Sequence, residues 1–262
     1  MLVDIGANLT HDSFDTDRQE VLDRAFATGV TQLVVTGASV AGSEDAVSLA
    51  QTNNSLFATV GIHPHHAQET NELTLARFEK LANDKNVRAI GETGLDFFRD
   101  FSPRQTQISS FEKHIELARR TKLPMFLHER DSHPTFSEVL RPLRDSLKDV
   151  VVHCFTGEKE ALYSYLDLDC HIGITGWICD ERRGGHLIEL VKEIPANRLM
   201  IETDAPYLLP RNIRPKPKSR RNEPQYLAVI CSFIADILKV PDEELARQTT
   251  ANAQRFFDLP TP

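Results

Sequence analysis

Short apolar runs recur along this chain, and between them apolar residues fall at helical spacing. "LVDIGANL" comes first, an amphipathic stretch over residues 16–29 follows and closes at Gly29, and "TQLVVTG" opens the next unit. The pattern returns with "LFATVGIHP", "VRAIGETGLD", "PMFLHER", "VVVHCFTG", "HIGITGW" and "RLMIETDAP". Strands that are apolar on both faces and alternate with amphipathic helices imply a parallel sheet covered by helices. Eight such units in 262 residues match a closed (β/α)8 TIM barrel, here read as an α/β single domain over 1–262. An open doubly wound sheet is the alternative, but no GxGxxG follows the first strand.

A barrel of this type carries its chemistry at the carboxyl ends of the strands. Those ends hold Glu92 in "AIGETGLD", His128 in "MFLHERD", His153 in "VVHCFTG" and Asp204 in "IETDAP". Two imidazoles and two carboxylates form a ligand set for a divalent cation such as Zn2+, Mn2+ or Mg2+. Taken singly, each His reads equally well as a satisfied core residue and each acid as a helix cap; four strand ends together weaken that account. In "VGIHPHHAQ", His63 abuts the third strand and His65 lies further into the turn, both candidates for contact with a metal or a phosphate. Glu202 precedes Asp204 by two, so a regular strand puts both on one face, with Glu202 placed to orient His128 or His153.

Charge adds a second feature. The net charge is −8, yet Arg211, Arg214, Lys216, Lys218, Arg220 and Arg221 follow the Asp204 strand with no acid among them. A solvated loop explains such a run elsewhere in a chain; beside a strand end it is a candidate lining for a nucleic-acid backbone, with Arg182 and Arg183 as a second clamp. Phe97, Phe98 and Trp177 sit at strand ends where bases stack, although aromatics there commonly pack under loops. The four cysteines form no CxxC pair, no apolar run approaches the length of a membrane span, and "MLVDIGANLTHDSFD" has no leader-like pattern. The expectation is a cytoplasmic monomer that keeps clear of membranes.

"GIHPH", "GETGLD", "HCFTG" and "IETDAPYL", in this order and spacing, resemble the TatD family of metal-dependent deoxyribonucleases in the amidohydrolase superfamily. "GITGWICDERRG" and "PKPKSRRNEP" extend the resemblance over essentially the whole chain. It implies a TIM-barrel hydrolase that removes nucleotides from the 3′ end of single-stranded DNA or RNA, in repair or turnover. It also implies metal ligation by Glu92, His128, His153 and Asp204; the mechanism expected on that basis makes Asp204 and Glu92 catalytic, with Asp204 the proton acceptor from a metal-bound water. One departure stands out: where most members have a His-x-His pair, "DIGANL" has Gly6 and Asn8. The loss of two imidazoles argues against a tightly held Zn pair and favours loosely held Mg2+, with Asn8 offering an amide oxygen. Small-molecule amidohydrolases or lactonases, and a non-catalytic quality-control protein, are the alternatives.

Overall fold

The computed structural model describes residues 1–261. Eight strands hydrogen-bond in chain order: β1 (Leu2–Ala7), β2 (Val30–Val35), β3 (Leu56–Val60), β4 (Val87–Asp96), β5 (Met125–Arg130), β6 (Val150–Val152), β7 (His171–Ile174) and β8 (Leu199–Ile201). Each coincides with one of the apolar runs, β2 starting one residue before its run, and a parallel bridge, Ala7 to Ala205, joins the first strand to the segment past the last. The expected (β/α)8 barrel is the fold.

Two strands stop sooner than the apolar pattern implies. β6 ends at Val152 and β8 at Ile201, so His153, Glu202 and Asp204 occupy the segments beyond. Asp204 has φ +53°, which ends strand alternation there. The argument that placed Glu202 and Asp204 on one strand face therefore does not apply.

The chain falls into two compact units. One comprises Val35–His153 and Gly157–His171, with helices α2 (Val40–Ala50), α3 (Glu72–Leu81), α4 (Arg104–Thr121), α5 (His133–Leu140) and α6 (Lys159–Asp167). Ser39 and Asn71 cap α2 and α3 by accepting from the backbone N–H of Gly42 and Thr74. Its core includes Phe126 and the stacked pair Phe111 and Phe136, with ring centroids 5.1 Å apart. His114 is a buried histidine with a purely structural role: Nδ1 donates to Ser110 O and Nε2 accepts from the Ile62 N–H. Burial holds its pKa down near 4.

The other unit comprises Met1–Val34, Cys154–Thr156 and residues 172–261, with helices α1 (Arg18–Ala27), α7 (Leu187–Leu190), α8 (Leu227–Leu238) and α9 (Asp242–Phe257). Here Asp4 of β1 is fully buried, and its carboxylate accepts from Thr203 N (2.9 Å), Thr203 Oγ1 (2.5 Å) and Gly6 N (3.3 Å). The hydrogen bonds tie β1 to the segment after β8. Among the described residues no single helix is long and apolar enough to cross a membrane.

Burial outweighs those hydrogen bonds and raises the Asp4 pKa from 3.8 to about 7. A raised carboxyl pKa means the fold binds the proton more tightly than the unfolded chain does. The resulting stability is fully present below about pH 4 and is lost as pH rises through 7. Asp4→Asn keeps an acceptor for the two N–H groups and offers Nδ2 to Thr203 Oγ1. Thermal melts of both proteins from pH 4 to 8 are expected to show wild type losing stability relative to Asp4→Asn, by on the order of 4 kcal/mol at most. Parallel curves would show that Asp4 does not titrate in this range.

Candidate metal centre and active site

The site begins with an irregularity in β4. Ile90 is in register with Met125 of β5 and Thr93 with Leu127, so β4 advances three residues while β5 advances two. A bulge of this kind re-aims a side chain, and Glu92 lies within it. Gly91 and Gly94 have φ +146° and +141°; a Cβ at either would lie 2.1 Å from Phe126 O or 2.0 Å from His128 O. Glycine at both positions lets β4 press against β5. The Glu92 N–H donates to Gly37 O at 2.7 Å, fixing the bulge from its other side.

Three imidazoles converge on one oxygen of that carboxylate. Glu92 Oε1 lies 2.9 Å from His153 Nε2, 3.0 Å from His128 Nδ1 and 3.3 Å from His63 Nε2, and the last two nitrogens are 3.3 Å apart. Glu92 and His153 are 5% and 2% exposed, so water screens the cluster little. Burial alone would raise the Glu92 pKa, but His63 and His153 beside it, with hydrogen bonds from His128 and His153, hold it well below the usual range. At His128 burial works against the charged form, yet hydrogen bonds to Asp96 and Glu92 lift the pKa to about 9. At His63 burial prevails and the pKa falls to about 4. The ring of His153 is held in place by stacking on Phe126, with centroids 4.3 Å apart.

Hydrogen bonding separates the roles of the histidines. His63 Nδ1 accepts from the His65 N–H at 3.1 Å, so the neutral ring carries its proton on Nε2 and presents it as a donor. His65 Nε2 donates to Asp96 Oδ2 at 2.8 Å, and His128 Nε2 lies 3.3 Å from the same oxygen. The other oxygen, Asp96 Oδ1, is fixed by the N–H groups of Phe98 and Arg99. Asp96 thus orients His128 with Nδ1 toward Glu92. Sequence reasoning missed Asp96, the other acid of "GETGLD"; the bulge at Glu92 breaks strand alternation, so no face argument paired the two.

The second unit holds the remaining candidates. Asn8 Nδ2 donates to Asp204 Oδ1 at 2.9 Å, so the residue at a usual histidine position is tied to the carboxylate. Glu202 is fully buried and accepts from the Cys154 N–H at 2.6 Å. Trp177 has the guanidinium of Arg183 over its ring, 4.2 Å from the centroid, and in the first unit Arg104 covers Phe97 at 4.5 Å.

Several of the expected nucleic-acid cations are matched to acids within the fold. Arg182 and Arg183 reach Asp180 at 3.1 and 2.9 Å, Arg211 reaches Glu181 at 2.8 Å, and Arg221 bridges Asp17 (2.6 Å) and Glu223 (2.8 Å). The acids lie outside the cationic run in sequence, which is why the run looked uncompensated. The stretch is curled: Arg214 donates to the carbonyls of Arg211 and Ile213, and residues 209–220 surround a cavity of about 240 Å3. Arg211, Arg214, Lys216 and Arg220 line it, while Lys218 is exposed on the same loop. Among the described residues, Lys216, Lys218 and Arg220 have no acidic partner.

His63, Glu92 and His128 bring ligand-type atoms within 4.8 Å of one another, and His153 Nε2 lies 2.9 Å from the Glu92 oxygen. Convergent imidazole nitrogen and ionised carboxylate oxygen fit a divalent metal. The chain matches the TatD-related DNase family over residues 3–258. It belongs to that family. Similar relatives include two proteins named 3′-5′ ssDNA/RNA exonuclease TatD: one from Erwinia billingiae, 48% identical over 99% of this chain and 100% of its own, and one from Salmonella typhimurium, 45% identical over 98% and 99%. A TatD homologue from Escherichia coli superposes with TM-score 0.90 at 25% identity, covering 99% of this chain and 98% of that one. A TatD family hydrolase from Entamoeba histolytica gives 0.88 at 28%, with the same coverage. A Listeria monocytogenes lactonase, at TM-score 0.62 and 13% identity over 99% and 95%, shares the fold alone.

In Asp96→Asn the amide oxygen keeps the two backbone N–H groups and the amide N–H2 faces the imidazoles. His128 Nε2 must then accept, which moves the ring proton to Nδ1 and blocks its lone pair. Titration against a chelating indicator is expected to show metal affinity about 10- to 100-fold lower, with secondary structure unchanged. Unaltered affinity would remove Asp96 from the control of His128.

Proposed function

We propose that this TatD-family hydrolase is a metal-dependent 3′-5′ exonuclease acting on single-stranded DNA or RNA. One observation carries the reading: three imidazole nitrogens meet an ionised, buried carboxylate oxygen in a chain that spans the full length of relatives named as such exonucleases. Glu92, His128 and His153 would hold the metal, with Asp204 as a further ligand, and Mg2+ is the proposed ion. When bound, a divalent metal polarises a scissile phosphate and acidifies a water.

The chain's own groups then divide the work. Asp204, oriented by Asn8, accepts the proton of the attacking water. His63 donates through Nε2 to the phosphate oxygen as charge develops. Lys216, Lys218 and Arg220 contact the phosphates of the incoming strand, whereas Arg221, 19% exposed, secures the loop to Asp17 and Glu223. We further propose a cytoplasmic monomer serving repair or turnover.

The function is tested by digesting 3′- and 5′-labelled single-stranded oligonucleotides with EDTA, Mg2+, Mn2+ or Zn2+. Early loss of 3′ label with Mg2+ is expected, reduced about 10³-fold or more in Glu92→Ala and Asp204→Asn. Cleavage in EDTA, or an active Glu92→Ala, would overturn the assignment.

The division of cations has its own test. Replacing Lys216, Lys218 and Arg220 together by Ala should flatten the log–log salt dependence of binding by about two units and leave the melting temperature unchanged. Arg221→Ala should instead lower stability by about 2 kcal/mol. The opposite pattern would exchange the two roles.

A further inference from the structure

The loop that leaves β4 just past Asp96 carries two large apolar side chains in water: Phe98 is 56% exposed and Phe101 is 66% exposed. Single exposed apolar residues are ordinary on a protein surface. These two stand on one anchored loop, and Phe101 reaches the site. The ring of Phe101 lies against His65, with centroids 4.7 Å apart, and His65 in turn lies 4.2 Å from the ring of His63. An unbroken line of rings therefore runs from the solvent to the Glu92 cluster.

Phe98 adds charge to this surface. The guanidinium groups of Arg130 and Arg99 stand 5.0 and 5.5 Å from its ring centroid. Arg130 also approaches Asp131 at 3.4 Å, whereas Arg99 has no acidic partner among the described residues. Neighbouring Phe97 is half-buried and covered by Arg104, which sets it apart from the two exposed rings. The loop is fixed from behind: Ser102 Oγ donates to His65 O, and Gln107 bonds to the N–H and carbonyl of Asp96 and to Ser102 O. Two exposed aromatic rings on an anchored loop, one of them beside guanidinium groups, complement an unpaired nucleobase together with its phosphates.

We infer that Phe98 and Phe101 form a stacking platform for an unpaired base near the 3′ end of the substrate strand, with Arg99 and Arg130 attracting the adjoining phosphates. The inference rests on the exonuclease reading and deepens it: the platform selects unpaired ends, because a base inside a duplex has both faces covered by its neighbours. Stacking accepts any base, so the selection is for strandedness and not for sequence.

The probe is a single-stranded oligonucleotide with 2-aminopurine at its 3′ end and phosphorothioate terminal linkages that resist cleavage, titrated into the protein with Mg2+. Wild type is expected to quench the fluorescence on binding. Phe98→Leu combined with Phe101→Leu keeps apolar bulk on an exposed loop, and a thermal melt verifies its folding; it should raise Kd by about 5- to 100-fold. An oligonucleotide lacking the terminal bases should lose comparable affinity for wild type and little more for the double variant. Equal Kd for wild type and variant, or abasic and base-bearing strands bound equally by wild type, would overturn the platform. The digestion of unmodified strands reads separately: cleavage with unchanged variant binding removes the platform alone, and base-dependent binding without cleavage under any metal removes the exonuclease reading alone.

Discussion

A buried, ionised carboxylate organises the chemistry of this protein. Glu92 lies almost wholly out of water, where a bare charge is strongly disfavoured, and it is kept ionised by three imidazoles drawn to a single oxygen. The same demand defines the surrounding residues. His128 must present Nδ1, so its Nε2 is turned toward Asp96; His63 must present an N–H, so its Nδ1 is capped by the backbone of His65. His63 and His128 thus each have one nitrogen engaged with the scaffold and the other aimed at the carboxylate.

Backbone shape makes that convergence available. Without the extra residue of β4 between Ile90 and Thr93, Glu92 would follow the ordinary alternation of a strand buried on both faces. The bulge in turn depends on two glycines whose absent Cβ atoms would otherwise collide with carbonyl oxygens of β5. The phosphodiesterase chemistry proposed for the cluster therefore rests on "GETG" as a conformational unit as much as on the charge of its glutamate.

Charge on the other unit follows a different logic. Two of the six cations in the run, Arg211 and Arg221, are held by acids outside it and brace the loop, while the lysines and Arg220 remain available. An acidic protein can in this way keep a small cationic surface for phosphates without a large positive field, and contact with a polyanion becomes local and salt-sensitive.

The alternation of apolar runs and amphipathic stretches determined the barrel, because strands buried on both faces admit little else over this length. The motifs likewise determined Glu92, His128 and His153 as a group, since strand order places their carboxyl ends alike. Tertiary structure alone decided the rest: that Glu92 sits in a bulge, that Asp96 fixes the orientation of His128, that His63 is a donor by tautomer, and that Arg221 is braced by Asp17, 204 residues away. Periodicity reports which face a side chain takes, a property of neighbouring residues. Hydrogen-bond partners and charge compensation depend on atoms that only folding brings together, and no local pattern encodes them.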